Sequence, residues 1–259
     1  GKGGPPYAGP WQLVLARSLN RGQTWQESVV ENRLTPTERF IAFTPPYPSL
    51  AVDRASGRLY AGFQDGRLGD ADVSVWSLAP GATKWEEPVR VNDTPERDRT
   101  AQYLPKLVVA PDGRLDVAYY DRRADRANVK NEVSLQSSFD EGKSFTPRAR
   151  LSERPFSSQV GYGSERGLPD LGSRLGLVSV DSRALAVWSD TRAGTPASSR
   201  QDLGRAVVAF SDPPRIAEGL KWLLIIGGIA AILAGAAVLV VGLVWPGARV
   251  PLARLRRRA

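Results

Sequence analysis

Hydrophobic and polar positions alternate along this chain in short runs, and the runs recur. Pro48-Ser-Leu-Ala-Val-Asp53 is followed by a turn at Gly57 and then by Leu59-Tyr-Ala-Gly-Phe63-x-Asp65. Pro105-Lys-Leu-Val-Val-Ala-Pro-Asp112-Gly113 leads to Leu115-Asp-Val-Ala-Tyr-Tyr-Asp121, and Leu175-Gly-Leu-Val-Ser-Val-Asp181 leads to Leu185-Ala-Val-Trp-Ser-Asp190. In each unit two short apolar runs flank a turn of Asp and usually Gly, and the second run closes on an aromatic residue and Asp. That pattern predicts β-hairpins buried on both faces. Helical periodicity is absent before residue 216, so the first 215 residues read as all-β.

A second unit alternates with the first. Val14-Leu-Ala-Arg17 runs into Ser18-x-Asn20-x-Gly22-x-Thr24-Trp25, and Val133-Ser-Leu135 runs into Ser138-x-Asp140-x-Gly142-x-Ser144-Phe145. A degraded copy lies between them, Val73-Ser-Val-Trp-Ser77 followed by Gly81, Thr83 and Trp85. The closing aromatics Trp25, Trp85 and Phe145 are spaced 60 residues apart. Asp and Asn side chains bond to backbone groups about two residues on, and Gly supplies positive φ. Each copy is therefore expected to be a self-fastening loop between two strands, with the aromatic packing the turn down. Short strands follow at Val89–Val91 and Ala149–Leu151.

Joining the two units gives modules of four strands: the paired hairpin, the strand before the box and the strand after it. Recurring modules of this size predict the blades of a β-propeller. We place a partial blade at 1–32, complete blades at 47–92 and 104–152, and a fourth at 172–212. A β-sandwich assembled from the same hairpins is the alternative architecture.

The boxes resemble the Asp-box, or BNR repeat, of the sialidase superfamily. Ser18, Asn20, Gly22 and Trp25 match it in the first copy, and Ser138, Asp140, Gly142 and Phe145 in the third. The resemblance implies a sialidase-like propeller, usually of six blades, in which the boxes are structural and lie away from the active site. It also implies an Arg clamp for a substrate carboxylate, a Tyr nucleophile paired with an acid, and an Asp acid/base. Under it Tyr162 with Glu165 takes the nucleophile pair, Arg123, Arg166 and Arg192 the clamp, and Asp121 the acid. The family's Phe/Tyr-Arg-Ile-Pro motif has no counterpart, since Arg39-Phe-Ile-Ala differs from it.

Composition changes this picture in two places. The net charge of +8 suggests nucleic acid, but five Arg (249, 254, 256, 257, 258) fall in the last 14 residues and Lys221 abuts an apolar run, leaving +2 over residues 1–220. Nucleic acid is thereby disfavoured. The chain has no Cys, no His and no Met. It offers no disulfide, no thiolate and no imidazole base or metal ligand. No cofactor or metal is expected; calcium at Asp65, Asp70 and Asp72 is a minor alternative. The lack of an initiating Met marks a processed product or fragment, with preceding sequence expected to supply further blades and an export signal.

Residues 223–244 carry no charge or strong polar group, and Trp222 and Trp245 bracket them. We expect a transmembrane helix over 216–246, a basic cytoplasmic tail at 247–259 and residues 1–215 outside the cell, at the plasma membrane. Gly227, Ala231 and Gly235 line one small-residue face that suits a membrane-protein partner.

Topology sorts the loops. Hairpin turns and boxes share one face, and the long charged loops share the other. The recurrent Asp121-Arg-Arg123 and Asp190-Thr-Arg192 endings suit ion pairs that hold neighbouring blades in register, in competition with the clamp reading. Two functions follow: a membrane-anchored, non-catalytic binding or assembly module, such as an accessory subunit of a membrane complex, or an exo-sialidase-type hydrolase acting on glycans.

Overall fold

A computed structural model describes residues 9–37, 47–158, 160, 175–195, 197–198, 200–211 and 218–244. The chain divides into two compact units, 1–210 and 211–259.

The first unit holds four antiparallel sheets, each a meander. Sheet 1 pairs β1 (Trp11–Arg17) with β2 (Gln26–Leu34) across the first box. Sheet 2 runs β3 (Ser49–Val52), β4 (Leu59–Asp65), β5 (Asp72–Leu78) and β6 (Val89–Arg90). Sheet 3 runs β7 (Gln102–Val109), β8 (Leu115–Asp121), β9 (Lys130–Ser138) and β10 (Ala149–Arg150), with β11 (Phe156–Ser157) on the other end of β9. Sheet 4 runs β12 (Gly176–Val180), β13 (Arg183–Asp190) and β14 (Asp202–Ala209). The hairpins and box loops fall where the residue pattern put them. Sheet 4 has three strands rather than four among the described residues, and β2, the strand after the first box, is nine residues long.

The sheets stack in sequence order because successive side chains on a strand point to opposite faces. On β8, Leu115, Val117 and Tyr119 meet Tyr60, Val73 and Val75 of sheet 2, while Ala118 and Tyr120 meet Ala184, Ala186 and Trp188 of sheet 4. Phe63, Ala61 and Trp76 of sheet 2 meet Leu13, Val30 and Leu34 of sheet 1. Sheets 2 and 3 thus bury both faces, and β8 is buried at every position. The first strands β3 and β12 both approach β7, so the sheets converge on their first strands and fan outward. Gly62 makes the closest approach possible: a Cβ there would sit 2.3 Å from Leu107 Cδ1.

The boxes wire themselves as their residues dictate. Ser138 Oγ accepts the Gly142 N–H at 2.8 Å, and Asp140 Oδ1 accepts the Ser144 N–H at 2.9 Å. In the first box Ser18 and Asn20 make the same bonds to Gly22 and Thr24, at 2.7 and 2.9 Å. Gly22 and Gly142 have φ of 86° and 85°. The degraded middle copy closes differently, with an Ala79 carbonyl accepting the Ala82 N–H beside Gly81 at φ 74°. The aromatics correct the expectation in part. Trp85 is buried and Phe145 is packed on the sheet 2–3 core, but Trp25 is 62% exposed. Each closing aromatic packs on the sheet before its own, and sheet 1 has no predecessor among the described residues.

On the hairpin-turn face, Arg58 bonds to Glu86 of its own sheet and to Glu141 in the box of sheet 3. Arg114 is fully buried. It pairs with Asp116 at 3.0 Å, donates to the Val180 carbonyl of sheet 4 at 2.8 Å, and stacks 3.8 Å from the Phe210 ring centroid.

The second unit contains one helix, α1 (Glu218–Val244), of 27 residues. The helix expected near 216–246 is therefore present, but its membrane crossing is not supported: among the described residues no helix is long and apolar enough to cross a membrane. The described side chains run unbroken only over 226–237. Gly227 and Gly235 have open space beside them. The tail at 247–259 lies outside the described residues.

Candidate functional site

The charged loops opposite the hairpin turns hold one device used three times. Asp65, Asp121 and Asp190 end the second strands β4, β8 and β13. In each, Oδ1 accepts the backbone N–H of the Arg two residues on, at 3.0, 3.0 and 2.9 Å. In each, Oδ2 accepts Nε of that same Arg. The guanidinium, now held in plane, reaches back to the preceding sheet. Arg67 bonds Glu31 at 3.0 Å, Arg123 bonds Asp93, and Arg192 bonds Glu153 at 2.8 Å. A planar fork with fixed donors is suited to two carboxylates at once. The device ties sheet 2 to sheet 1, sheet 3 to the segment after sheet 2, and sheet 4 to the segment after sheet 3.

Burial raises the carboxyl of Asp93, but the Arg123 hydrogen bond and charge outweigh it and hold the group below its ordinary value. The same balance, with Arg67 as the cation, lowers Glu31. Asp72, by contrast, is raised by burial against the opposing hydrogen bond of Asn92 and charge of Arg90.

These contacts locate several of the residues singled out from the sequence. Asp121 is fully buried and accepts from Arg123, Ser134 at 2.8 Å, Gln102 at 3.3 Å and Arg148 at 3.5 Å. Arg123 and Arg192 are each closed on two carboxylates, and no contact joins them to each other. Tyr162, Glu165 and Arg166 lie outside the described residues. Arg122 is buried, donating to Asn131 at 2.9 Å and to Ser158 at 3.0 Å. Asp65 is the Arg67 anchor, and no metal-holding group of acids occurs among the described residues.

A cleft of about 530 Å³ opens on this loop face between sheets 3 and 4. Lys130, Arg154 and Arg192 rim it; Phe156, Ser157 and Thr191 line it; Asp125 stands at its edge. Lys130 and Arg154 have no ion-pair partner among the described residues. Burial raises Asp125, but the N–H groups of Lys130, Val129 and Ala127 more than reverse this and favour its ionised form. The cleft thus combines two cations with no ion-pair partner among the described residues, a fixed carboxylate, and a lining that mixes Phe156 with Ser157 and Thr191. A larger groove of about 690 Å³ follows β3 and β7, but its walls are chiefly Leu50, Val52, Leu107 and Val109, with little polar chemistry. Lys130 and Arg154 were missed in the sequence, where each is one charge among many. Only the pairing of β11 with β9 brings their neighbourhoods together.

No protein-family model matches the chain, and no curated protein matches it. Among solved structures it is similar to an α-L-arabinanase of Penicillium chrysogenum complexed with arabinobiose, at 17% identity and a TM-score of 0.45, over 66% of this chain and 50% of that one. It is similar to a Hadza microbial sialidase at 16% identity and a TM-score of 0.43, over 78% and 38%. An α-L-arabinofuranosidase of Fusarium graminearum with arabinobiose gives 14% identity and a TM-score of 0.43, over 78% and 55%. The chain spans about half of these proteins or less. At such identities and scores the likeness carries no argument about activity.

Proposed function

We propose that this chain is a glycan-directed propeller module whose ligand site is the cleft between sheets 3 and 4, and whose role is binding. The observation that carries the reading is the pair of cations without an ion-pair partner among the described residues, Lys130 and Arg154, at a cleft of sugar-accommodating size. Two cations beside a fixed carboxylate suit a sugar that bears an acidic group and several hydroxyls. Binding is preferred to hydrolysis because Asp121, Arg123 and Arg192 are spent on joining sheets. Titration calorimetry with uronate- and sialate-terminated oligosaccharides tests this. Saturable binding that weakens at least tenfold in Lys130→Ala/Arg154→Ala supports it, and absent or unchanged binding overturns it.

An exo-acting glycoside hydrolase is the second reading, consistent with the glycan-acting proteins whose folds overlap this one but not argued from them. Turnover of fluorogenic sialosides or arabinosides, abolished in Tyr162→Phe, would replace the binding role.

Membrane attachment rests on the sequence of 223–244, which at 1.5 Å per residue is about 33 Å long against a hydrocarbon core of roughly 30 Å. On this reading α1 is a single-pass anchor, the sheets are outside and the basic C-terminus is cytoplasmic. Release of the chain from membranes by alkaline carbonate would count against it. An assembly role through Gly227, Ala231 and Gly235 has only the small residues themselves as support.

A further inference from the structure

The three Arg joints on the loop face differ in how firmly the distant carboxylate is held. Glu31, the partner of Arg67, also accepts the Arg33 N–H at 2.9 Å and is 13% exposed at its side chain. Asp93, the partner of Arg123, also accepts the Arg148 N–H at 3.1 Å and is 41% exposed. Glu153, the partner of Arg192, is 87% exposed, and its carboxylate bonds nothing else among the described residues. Such an exposed ion pair contributes little, because water and salt compete for both of its ends.

The same Arg192 lines the cleft between sheets 3 and 4, beside Lys130 and Arg154. Asp190 fixes it from behind through the backbone N–H and Nε, at 2.9 and 2.7 Å. Glu153 holds Nη1 at 2.8 Å, and Nη2 makes no hydrogen bond among the described residues. The two terminal nitrogens form the outer edge of a planar fork that can take both oxygens of one carboxylate. Glu153 therefore occupies half of that edge and leaves the other half open. The second acid at the cleft is held quite differently. Asp125 accepts the N–H groups of Lys130, Val129 and Ala127 at 2.7, 3.0 and 3.2 Å, which keep it in place. Of the two acids, only Glu153 is free to leave, and it directly precedes Arg154 in the chain.

We infer that Glu153 is a built-in competitor for the anion of an acidic sugar, and that it sets the affinity of the cleft for such sugars. On binding, the sugar carboxylate takes both terminal nitrogens of Arg192 and Glu153 is released to water. Asp190 keeps its hold throughout, so sheet 4 loses only the most exposed contact of its joint. A neutral sugar offers Arg192 nothing in exchange and leaves the pair closed. The inference rests on the cleft being the ligand site, and it adds a residue that tunes selection between acidic and neutral sugars.

Titration calorimetry of the intact chain with digalacturonate and with neutral galactobiose tests the inference. Glu153→Ala should bind digalacturonate about two- to fivefold more tightly than the unmodified chain, the worth of one exposed ion pair. Galactobiose should show no gain. In an Arg192→Gln background the Glu153 substitution should also give no gain. An equal gain in that background, or with galactobiose, overturns the inference, since Glu153 would not then be competing for Arg192. Arg192→Gln deprives buried Asp190 of its cation, so a second measurement is independent of its folding. The Nε–H magnetic resonance of Arg192 in the unmodified chain should shift with digalacturonate and stay fixed with galactobiose. A resonance unmoved at saturating digalacturonate overturns the inference. Unchanged affinity in Glu153→Ala, with binding still dependent on Lys130 and Arg154, overturns it while the cleft stands as the site. Failure of digalacturonate to bind either protein removes the cleft reading and the inference together.

Discussion

The guanidinium of Arg123 closes on the carboxylate of Asp93, which lies thirty residues earlier and beyond the last strand of the preceding sheet. The same Arg is fixed from behind by Asp121 through both Nε and its own backbone N–H. Since Arg67 and Arg192 repeat the arrangement, cohesion between sheets on the loop face depends on three cations of graded burial.

The burial of each carboxylate predicts an order of stability losses. Asp121 is fully buried, so Arg123→Ala leaves an under-compensated buried charge and should cost about 3 kcal/mol in urea unfolding. Asp65 is equally buried, so Arg67→Ala should likewise cost about 3 kcal/mol, although Arg67 itself is 38% exposed at its side chain. Glu153 is 87% exposed, so Glu153→Ala should stay within about 0.5 kcal/mol. Equal losses at all three sites would show that the contacts do not carry load according to burial.

The boxes should tolerate exchange of their acceptor but not its loss. Asp140→Ala removes the acceptor of the Ser144 N–H and hydroxyl and is expected to lower stability by about 1–2 kcal/mol. Asn20→Asp keeps the oxygen that accepts the Thr24 N–H, and the Thr24 hydroxyl can turn to donate. Its melting temperature should match that of the unmodified chain or exceed it slightly.

Two glycines with the same backbone should respond differently. Gly113 and Gly142 have φ of 87° and 85°. A Cβ at Gly113 meets nothing within 4 Å, whereas at Gly142 it comes 3.2 Å from Tyr60 Cε1. Gly113→Ala should cost about 1 kcal/mol from the left-handed backbone alone. Gly142→Ala should cost more by the displacement of Tyr60, and the gap should narrow in a Tyr60→Leu background.

Acid should weaken the joints between sheets. Glu31, Asp93 and Asp140 lie below their ordinary values of 4.5, 3.8 and 3.8. A lowered carboxyl contributes stability that is complete above its ordinary value and is lost as pH falls through the folded one. Asp72 is raised and acts in the opposite sense over a higher window. Chemical unfolding between pH 2 and 5, pH values chosen as roughly spanning these titrations, should show stability rising with pH. Arg123→Leu/Asp93→Asn should flatten that limb, and an unaltered slope would dissociate the Arg123 joint from the acid sensitivity.

Much of the architecture was legible in the chain because it is local. Asp112-Gly113 and Ser138-x-Asp140-x-Gly142 determine their own turns, and the alternation of Leu115 to Asp121 states that both faces are covered. The endings at 121–123 and 190–192 were readable as pairing devices, but their distant partners were not. Asp93 and Glu153 sit in irregular segments, and only stacking of the sheets brings them to Arg123 and Arg192. Trp25 and Trp85 hold equivalent places, yet one is exposed and the other buried, since burial depends on the neighbouring sheet and not on the box. Leu104 could not be foreseen either: it adopts φ 50° at a register shift in β7, where its N–H is satisfied by Gln64 of sheet 2. Tyr162, Glu165 and Arg166, on which the hydrolase reading turns, remain a matter for the turnover assay.

Arg114 bears on how the molecule is made. Its side chain reaches satisfaction only when carbonyls of Val180 and Asp181, more than sixty residues later, and the ring of Phe210 have arrived. Until then a guanidinium that the finished protein seals from water must stay hydrated, holding the hairpin of β7 and β8 open on that side. The third and fourth sheets should accordingly gain hydrogen-exchange protection together, as one late cooperative step, while the second sheet consolidates earlier.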